Sequence, residues 1–561
     1  MNTNKKSARI LNNYVINIHF MILYFFLFNS FLLSQASMVT EGIKGNLVSV
    51  EWLVKNLNNK EVLILDAAQP QQYTAQHIPG AVSVDFMTYG IKELSPAELE
   101  QKFQALGISA DKKIVIYDRG APMMATRVFF DLLYSGFPVK NLFVLNGGLT
   151  KWLELNNPVT SEVVPVSKKG NFKINKFNEK IRAKLPEFLT ASGEKENNIL
   201  VEALDANWHF GELQVFDRPG HIPNGILIPA SDFFNADKTF KSPEEIKKIF
   251  SYHGISKEKQ IYTYCGGGIA ATVPFFSLKF ILDYPDVKLF RESEMGWLQD
   301  ERELPFWTYD APYLMRATDW IKTWGGKMMR MYGISKVSLI DVRSAESFAQ
   351  GHIPFMLNIP SELFNKNIGD PQKLTELLIK SGVNPSHEAV VVSGEGLNEQ
   401  SALAFLLLEY LGWKKVSVFI DSNEKFVQSG IALEKEEKAD NKNGKENQLQ
   451  SLQAEPIKVR KEIMITDPNS TTGVYPKVFI SSGKDGSNKN PEGKVVHLPY
   501  HNFLNADGTP KAAKEIWKIL QKAGVPRYAE LVCFSDNPGE AAVNYFILKL
   551  MGYPDIKVLV I

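Results

Sequence analysis

Hydrophobic and polar positions along the chain follow one pattern written four times. A run of apolar residues ending in an acid, Val62 to Asp66, precedes Gln76-His77-Ile78-Pro79-Gly80. The same succession returns as Leu200 to Asp205 before Gly220-His221-Ile222-Pro223-Asn224, and as Val337 to Asp341 before Gly351-His352-Ile353-Pro354. About forty residues after each histidine stands a second apolar run: Ile114 to Tyr117, Ile261 to Tyr264 and Ala389 to Val392. Each is followed by a turn and an apolar helix. Short apolar runs rich in β-branched residues predict strands, and their alternation with helices predicts parallel sheets covered on both faces. The fourth copy lacks the histidine, but Leu498-Pro499 matches Ile228-Pro229 and Ile359-Pro360, and its strand Leu531 to Phe534 ends at Ser535. A repeat of this length is itself the architecture.

The predicted domains are 45–165, 178–310, 313–433 and 457–561. Residues 434–456 are charged and nearly free of apolar side chains, which predicts a flexible linker. Residues 1–36 read as an export signal. Lys5, Lys6 and Arg9 precede the apolar run Phe20 to Phe28, and Ser34-Gln35-Ala36 offers small residues for cleavage. The expectation is a protein exported to the periplasm, touching a membrane only through that segment if it is uncleaved.

Charge and cysteine content narrow the chemistry. With 63 basic against 62 acidic side chains there is no excess to neutralise phosphates, so no nucleic-acid partner is expected. Two cysteines exclude a disulfide framework and a cysteine-based zinc or iron–sulfur site. The histidines lie one per repeat, far apart in sequence, and read as turn-fixing residues; no metal is expected.

Ligands of parallel α/β sheets bind where strands end and helices begin. At that point the four copies carry Asp118, Cys265, Ser393 and Ser535. Cys265 is followed by Gly266-Gly267-Gly268-Ile269-Ala270 and a helix. Consecutive glycines let several N–H groups turn inward, and a helix N-terminus adds to the preference for negative charge. A cysteine there is expected to be reactive as a thiolate, and a persulfide formed on it would be held as an anion. A buried cysteine beside a structural turn is the plain alternative. No Gly-Lys-Ser/Thr follows, so the turn is not a P-loop. No arginine lies between Cys265 and Pro274 to grip a phosphate. Cys533, two residues before its turn and level with Thr263, is expected to be structural. Ser393 and Ser535 read as decayed sites.

These residues resemble the rhodanese family of sulfurtransferases. The resemblance is carried by the His-Ile-Pro motifs, by Tyr264-Cys265-Gly266-Gly267-Gly268, and by Leu145-Asn146-Gly147-Gly148 with Trp152. Residues from about 45 to 310 resemble a tandem rhodanese whose first domain carries aspartate where the second has the catalytic cysteine. The resemblance implies an α/β chain of four tandem rhodanese-like domains, each a parallel sheet flanked by helices. It implies that Cys265 takes a sulfane sulfur from thiosulfate or a related small anion. The sulfur would be held as a persulfide and passed to cyanide or a thiol acceptor, without a cofactor. Amides of Gly266, Gly267, Gly268, Ile269 and Ala270 would bind the anion, with Arg218 or Arg291 as the cation. Thiosulfate-specific members carry an arginine two residues after the strand acid, a place read here as Asn207. The 3-mercaptopyruvate type carries a hydroxyl where Gly267 stands. A non-catalytic binding or scaffold protein is the alternative, since three of four turns lack a thiol; a redox sensor is a third.

Overall fold

The computed structural model describes residues 43–120, 123–163, 165–166, 168–214, 216–435, 458–470, 473–487 and 491–560. The expected export signal, and the linker beyond residue 435, lie outside them. Two compact units are formed. One holds residues to Ala183 with Ala230–Pro243 and Gly268–Arg291; the other holds Lys184–Pro229, Glu244–Gly267 and Glu292 onward.

Among the described residues each of the four repeats carries a sheet. In the first, the strands Val62–Asp66, Lys113–Tyr117 and Leu142–Leu145 pair in parallel, and Val82–Ser83 extends the edge beside Val62–Asp66. The third repeats this plan with Val337–Asp341, Glu388–Val392, Val416–Phe419 and Met356–Asn358. The fourth does so with Lys477–Ser481, Glu530–Phe534, Ile556–Leu559 and Lys494–His497. In the second repeat, Asn198–Glu202 pairs in parallel with Gln260–Tyr264 and with Gly225–Leu227. The strands Val287–Phe290 and Arg182–Ala183 form their own parallel pair in the first unit. Strands buried on both faces need apolar residues at successive positions, and Ile114, Val115, Ile116 and Tyr117 all have no exposed surface.

Helices cover these sheets in the manner the repeats require. In the first unit the helix Met123–Tyr134 packs on Thr272–Phe276, with Phe129 edge-on to Phe276 at 5.0 Å and Phe130 edge-on to Phe275 at 5.1 Å. In the second unit the helix Glu399–Tyr410 meets Pro538–Leu550 through Phe405 and Phe546 at 5.0 Å. Both of these helices are apolar nearly all round, which is the mark of a helix buried between layers. Glu409 is buried there but paired, accepting from Tyr545 at 2.9 Å and from Lys549 at 2.7 Å.

The histidine motifs have the structural role read from the sequence. His77, His221 and His352 each form an antiparallel bridge, to Thr160, Trp307 and Glu434. Their Nδ1 atoms face the carbonyls of Tyr73, His209 and Phe348 at 2.7, 3.0 and 3.0 Å. Each imidazole stacks on that same residue, with centroids 3.9, 3.6 and 3.7 Å apart. The bridge at Glu434 ties that residue to the third repeat rather than to the linker.

Candidate functional site

The strand register fixes which residues correspond. Asp66 pairs with Tyr117, Glu202 with Tyr264, Asp341 with Val392 and Ser481 with Phe534. The next residues, Asp118, Cys265, Ser393 and Ser535, therefore do occupy one turn position. The same register corrects the second repeat. Its strand ends at Glu202, not Asp205, because Asp205 stands outside the sheet as the residue preceding the helix Ala206–His209. The position two residues after the strand acid is then Leu204. Asn207 is elsewhere, its side-chain oxygen accepting from the Trp517 indole at 2.9 Å.

What the turn can hold is shown by the first repeat. Asp118 is buried, and its carboxylate accepts from the backbone N–H groups of Gly120, Met124 and Ala125 at 3.1, 3.0 and 3.1 Å. Burial pushes its pKa up while those three amides pull it back. The turn is thus an anion site already filled by its own side chain. In the third repeat, Ser393 turns inward to Gly396 with a 2.6 Å bond to the carbonyl, and in the fourth the Ser535 hydroxyl meets Glu540.

In the second repeat the turn carries Cys265, whose residue surface is 2% exposed. Its backbone is gripped from the far segment: Cys265 N–H donates to Ser293 Oγ at 3.1 Å, and Glu294 N–H donates to the Cys265 carbonyl at 3.0 Å. Met295 N–H donates to Gly266 O at 3.0 Å. The N–H groups of Gly266, Ile269 and Ala270 have no acceptor among the described residues, and all three residues are partly exposed. A Cβ on Gly266 would lie 3.5 Å from the Phe216 ring, and one on Gly267 3.3 Å from Met295 Sδ, so apolar side chains border the turn. Gly268 belongs to the first unit. Its φ is +75°, a Cβ there would lie 2.1 Å from the Arg291 carbonyl oxygen, and its own carbonyl accepts from Arg127 at 2.8 Å. Only glycine fits.

Two residues not singled out from the sequence belong to this site. Ser293 adopts φ +53°, the conformation of Gly148 in the first repeat, which also has φ +53°. Glu294 stands where the first repeat has Leu149, whose N–H likewise donates to the carbonyl of the turn residue, Asp118, at 2.8 Å. Burial first, then the charges of Glu202 and of Cys265, push the Glu294 carboxyl well above the usual carboxylate range. Burial and these charges thus favour its neutral form beside the sulfur. The signal was present in the sequence: Asn146-Gly147-Gly148-Leu149 and Arg291-Glu292-Ser293-Glu294 each end three residues before Trp152 or Trp297.

Beneath Cys265, buried charge is arranged differently from the other repeats. Asp66 is paired by Arg119 at 3.1 Å and Asp341 by Arg343 at 2.6 Å, and each guanidinium also donates to the carbonyl just before the motif histidine. Glu202 has no arginine. Its partner is His209, which meets it through Nδ1 and reaches Asp310 through Nε2 at 3.0 Å. Burial opposes charge on His209, but Asp310 and Glu202 outweigh it and raise its pKa to about 9. Its stacked neighbour His221 is pushed down to about 3 by burial and by His209. Glu202, His209 and His221 place donor atoms within 4.8 Å of one another. With both its nitrogens engaged by carboxylates and its ring protonated, His209 offers no lone pair to a metal. The donor set fits a hydrogen-bonded ion cluster.

The remaining expected residues are placed as follows. The Arg218 guanidinium lies 5.8 Å from the centre of the Phe306 ring. Arg291 donates to the Gly90 carbonyl at 2.7 Å and stands 3.9 Å from Glu93, so it is committed within the first unit. Cys533 is fully buried inside its strand, level with Thr263, and burial pushes its thiol pKa far up.

Fold and turn together define a tandem α/β protein in which one strand-to-helix turn of four presents a thiol. The rhodanese-like domain model matches residues 49–155 and 326–429. The "Sulfur carrier protein TtuD" of Thermus thermophilus is 31% identical over 267 residues, 45% of this chain and 93% of that protein. The 3-mercaptopyruvate sulfurtransferase of Escherichia coli is 30% identical over 275 residues, covering 45% and 94%. The crystal structure of Escherichia coli SseA aligns at 27% identity and TM-score 0.40, over 44% of this chain and 98% of its own. This chain belongs to the rhodanese-like family, and the named relatives include sulfurtransferases.

Proposed function

We propose that the protein is a sulfurtransferase working through a persulfide on Cys265. One observation carries this reading. The turn position that in the first repeat gathers three backbone amides onto the Asp118 carboxylate holds a thiol in the second, and there the partly exposed Gly266 keeps an N–H without an acceptor among the described residues. In the proposed cycle the Cys265 thiolate attacks the outer sulfur of thiosulfate; the new S–S bond forms as the old one breaks, and sulfite leaves with the electron pair. An acceptor such as cyanide or a thiolate then attacks the outer sulfur of the persulfide and regenerates the Cys265 thiolate. Splitting one transfer into two is the gain of covalent catalysis, and inward amides stabilise the anions on both sides of it. A neutral Glu294 adds no repulsion to them. The place expected to carry the thiosulfate-type arginine holds Leu204, and Gly267 has no hydroxyl, so the donor is left at the level of a small sulfur-bearing anion. Export to the periplasm is part of the proposal and rests on residues 1–36 alone.

Mass spectrometry of the intact chain after thiosulfate or 3-mercaptopyruvate is the test. One added sulfur on wild type and none on Cys265→Ser is expected. No addition with either donor would favour the scaffold reading, which the internally satisfied turns at Ser393 and Ser535 support.

A further inference from the structure

A cavity of about 790 Å³ opens within the second unit, at the edge of the second repeat opposite Cys265. It meets the beginning of the strand Asn198–Glu202, whereas Cys265 follows the end of the neighbouring strand. Residues of the fourth repeat, among them Trp517 and Tyr553, complete its wall. Nothing in the sulfur chemistry proposed above requires it.

Three observations converge on a ligand. First, the wall carries flat rings, Phe210, Tyr313, Trp517 and Tyr553. Second, three polar atoms of lining residues are buried without a hydrogen-bond partner: His253 Nε2, the Tyr553 hydroxyl and Asn224 Oδ1. Native proteins seldom leave such groups unmatched, and three of them make this wall polar as well as aromatic. Third, its positive charge is not cancelled. Arg460 is paired with Glu462 at 3.2 Å, Lys549 with Glu409 at 2.7 Å, and Lys557 with Glu530 at 2.8 Å. Lys195 and Lys259 have no carboxylate oxygen within ion-pair distance among the described residues. Lys195 instead lies 4.4 Å from the centre of the Tyr313 ring, and Lys259 donates to the Lys195 carbonyl at 3.3 Å. Asp310, the acid whose charge acts on Lys195, is already bonded to His209.

We infer that this cavity binds a small organic anion carrying a flat ring. The anionic group is met by Lys195 and Lys259, and the ring lies among the aromatic side chains. Volumes of this size suit small molecules, and rings with a few converging polar groups are the usual lining. An aromatic carboxylate and a nucleoside monophosphate share this chemistry.

Isothermal titration of the full chain decides the matter, with 4-hydroxybenzoate and adenosine monophosphate as probes and phenol and adenosine as their neutral counterparts. Saturable binding is expected for at least one anion, at least about tenfold tighter than for its neutral counterpart, a difference that charge pairing readily supplies. Which anion binds distinguishes the two sources. The same anion should bind Cys265→Ser as it binds wild type. It should bind Lys195→Glu/Lys259→Glu at least about tenfold more weakly. Should that variant fail to fold, Lys195→Gln/Lys259→Gln replaces it. Absence of saturable binding by either anion up to about 10 mM overturns the inference. So does equal binding of the neutral counterpart, or an affinity indifferent to both lysines.

Discussion

Ser293 Oγ accepts a 3.1 Å hydrogen bond from the backbone N–H of Cys265 while its own backbone sits at φ +53°. A non-glycine residue held in that region is strained, and such strain persists where a side chain is needed. Ser293→Ala keeps the backbone conformation and removes the acceptor from a buried N–H. The expected cost is about 1 kcal/mol of stability, and a five- to tenfold fall in the rate of persulfide formation follows from a looser turn. Urea denaturation and single-turnover mass spectrometry would measure the two.

Cys265→Ser should lower sulfur transfer to cyanide by at least about 1,000-fold, because a nucleophile is lost rather than a contact. Cys533→Ser should retain the rate. The second variant is the control for the first, since Cys533 is sealed inside a strand and its thiol is held protonated by burial. Equal losses in the two variants would remove Cys265 from the mechanism.

Glu294 is held as a neutral acid, so raising the pH works against it. As it ionises it places a negative charge beside the Cys265 sulfur, to which it is already electrostatically linked. Glu294→Gln should therefore match wild type within about threefold at low pH, and the ratio of variant to wild-type rate should grow as pH rises. For stability the sign is the same. The folded state binds a proton that the unfolded state releases above about pH 4.5, so wild type loses stability as pH rises toward the folded pKa and the glutamine variant does not. Melting curves across this range test it. A constant gap between the two proteins would contradict it.

His209 titrates in the opposite sense chemically and with the same slope. Its pKa is raised to about 9 by Asp310 and Glu202 against burial. The stabilisation is fully present below the ordinary histidine pKa of about 6.5 and is lost as pH passes about 9; a shift of that size is of order 3 kcal/mol. His221, held neutral down to about 3, makes stability rise with pH through about 6.5, equally in wild type and variant, so it cancels from the comparison. His209→Gln should be less stable than wild type at pH 6 by a few kcal/mol, roughly, and should close much of the gap by pH 10. Urea midpoints at the two pH values are the measurement.

Gly268→Ala should cost roughly 2–4 kcal/mol, because its φ of +75° and the Arg291 carbonyl oxygen 2.1 Å from the added Cβ leave no relaxed position. Gly254→Ala, at φ +67° with open space around it, separates the two causes: it should lose only the conformational part, about 1 kcal/mol.

Local order made the repeats legible. His77, His221 and His352 could be read as turn residues because the proline and the imidazole bond lie within a short stretch, whereas the bridges to Thr160, Trp307 and Glu434 join distant residues. Cys265 could be placed at its turn because a run of strand residues ends there, and Cys533 because the corresponding run of the fourth repeat includes it. The second strand acid was misplaced because Val201-Glu202-Ala203-Leu204-Asp205 offers two acids, and period alone does not say which one the neighbouring strand stops beside. Pairing of Glu202 with Tyr264 does.

The order of strands and helices, the fourfold repetition and the lone thiol among four equivalent turns follow from the residue pattern, since each depends on near neighbours and on burial of apolar runs. The tertiary structure alone decided what surrounds that thiol and how Glu202 is neutralised. It also decided that Lys195 meets a ring and Lys259 a backbone carbonyl instead of carboxylates. Those relationships join residues far apart in the chain. Their energies arise from desolvation and charge at close range, quantities that exist only once the chain has folded and excluded water.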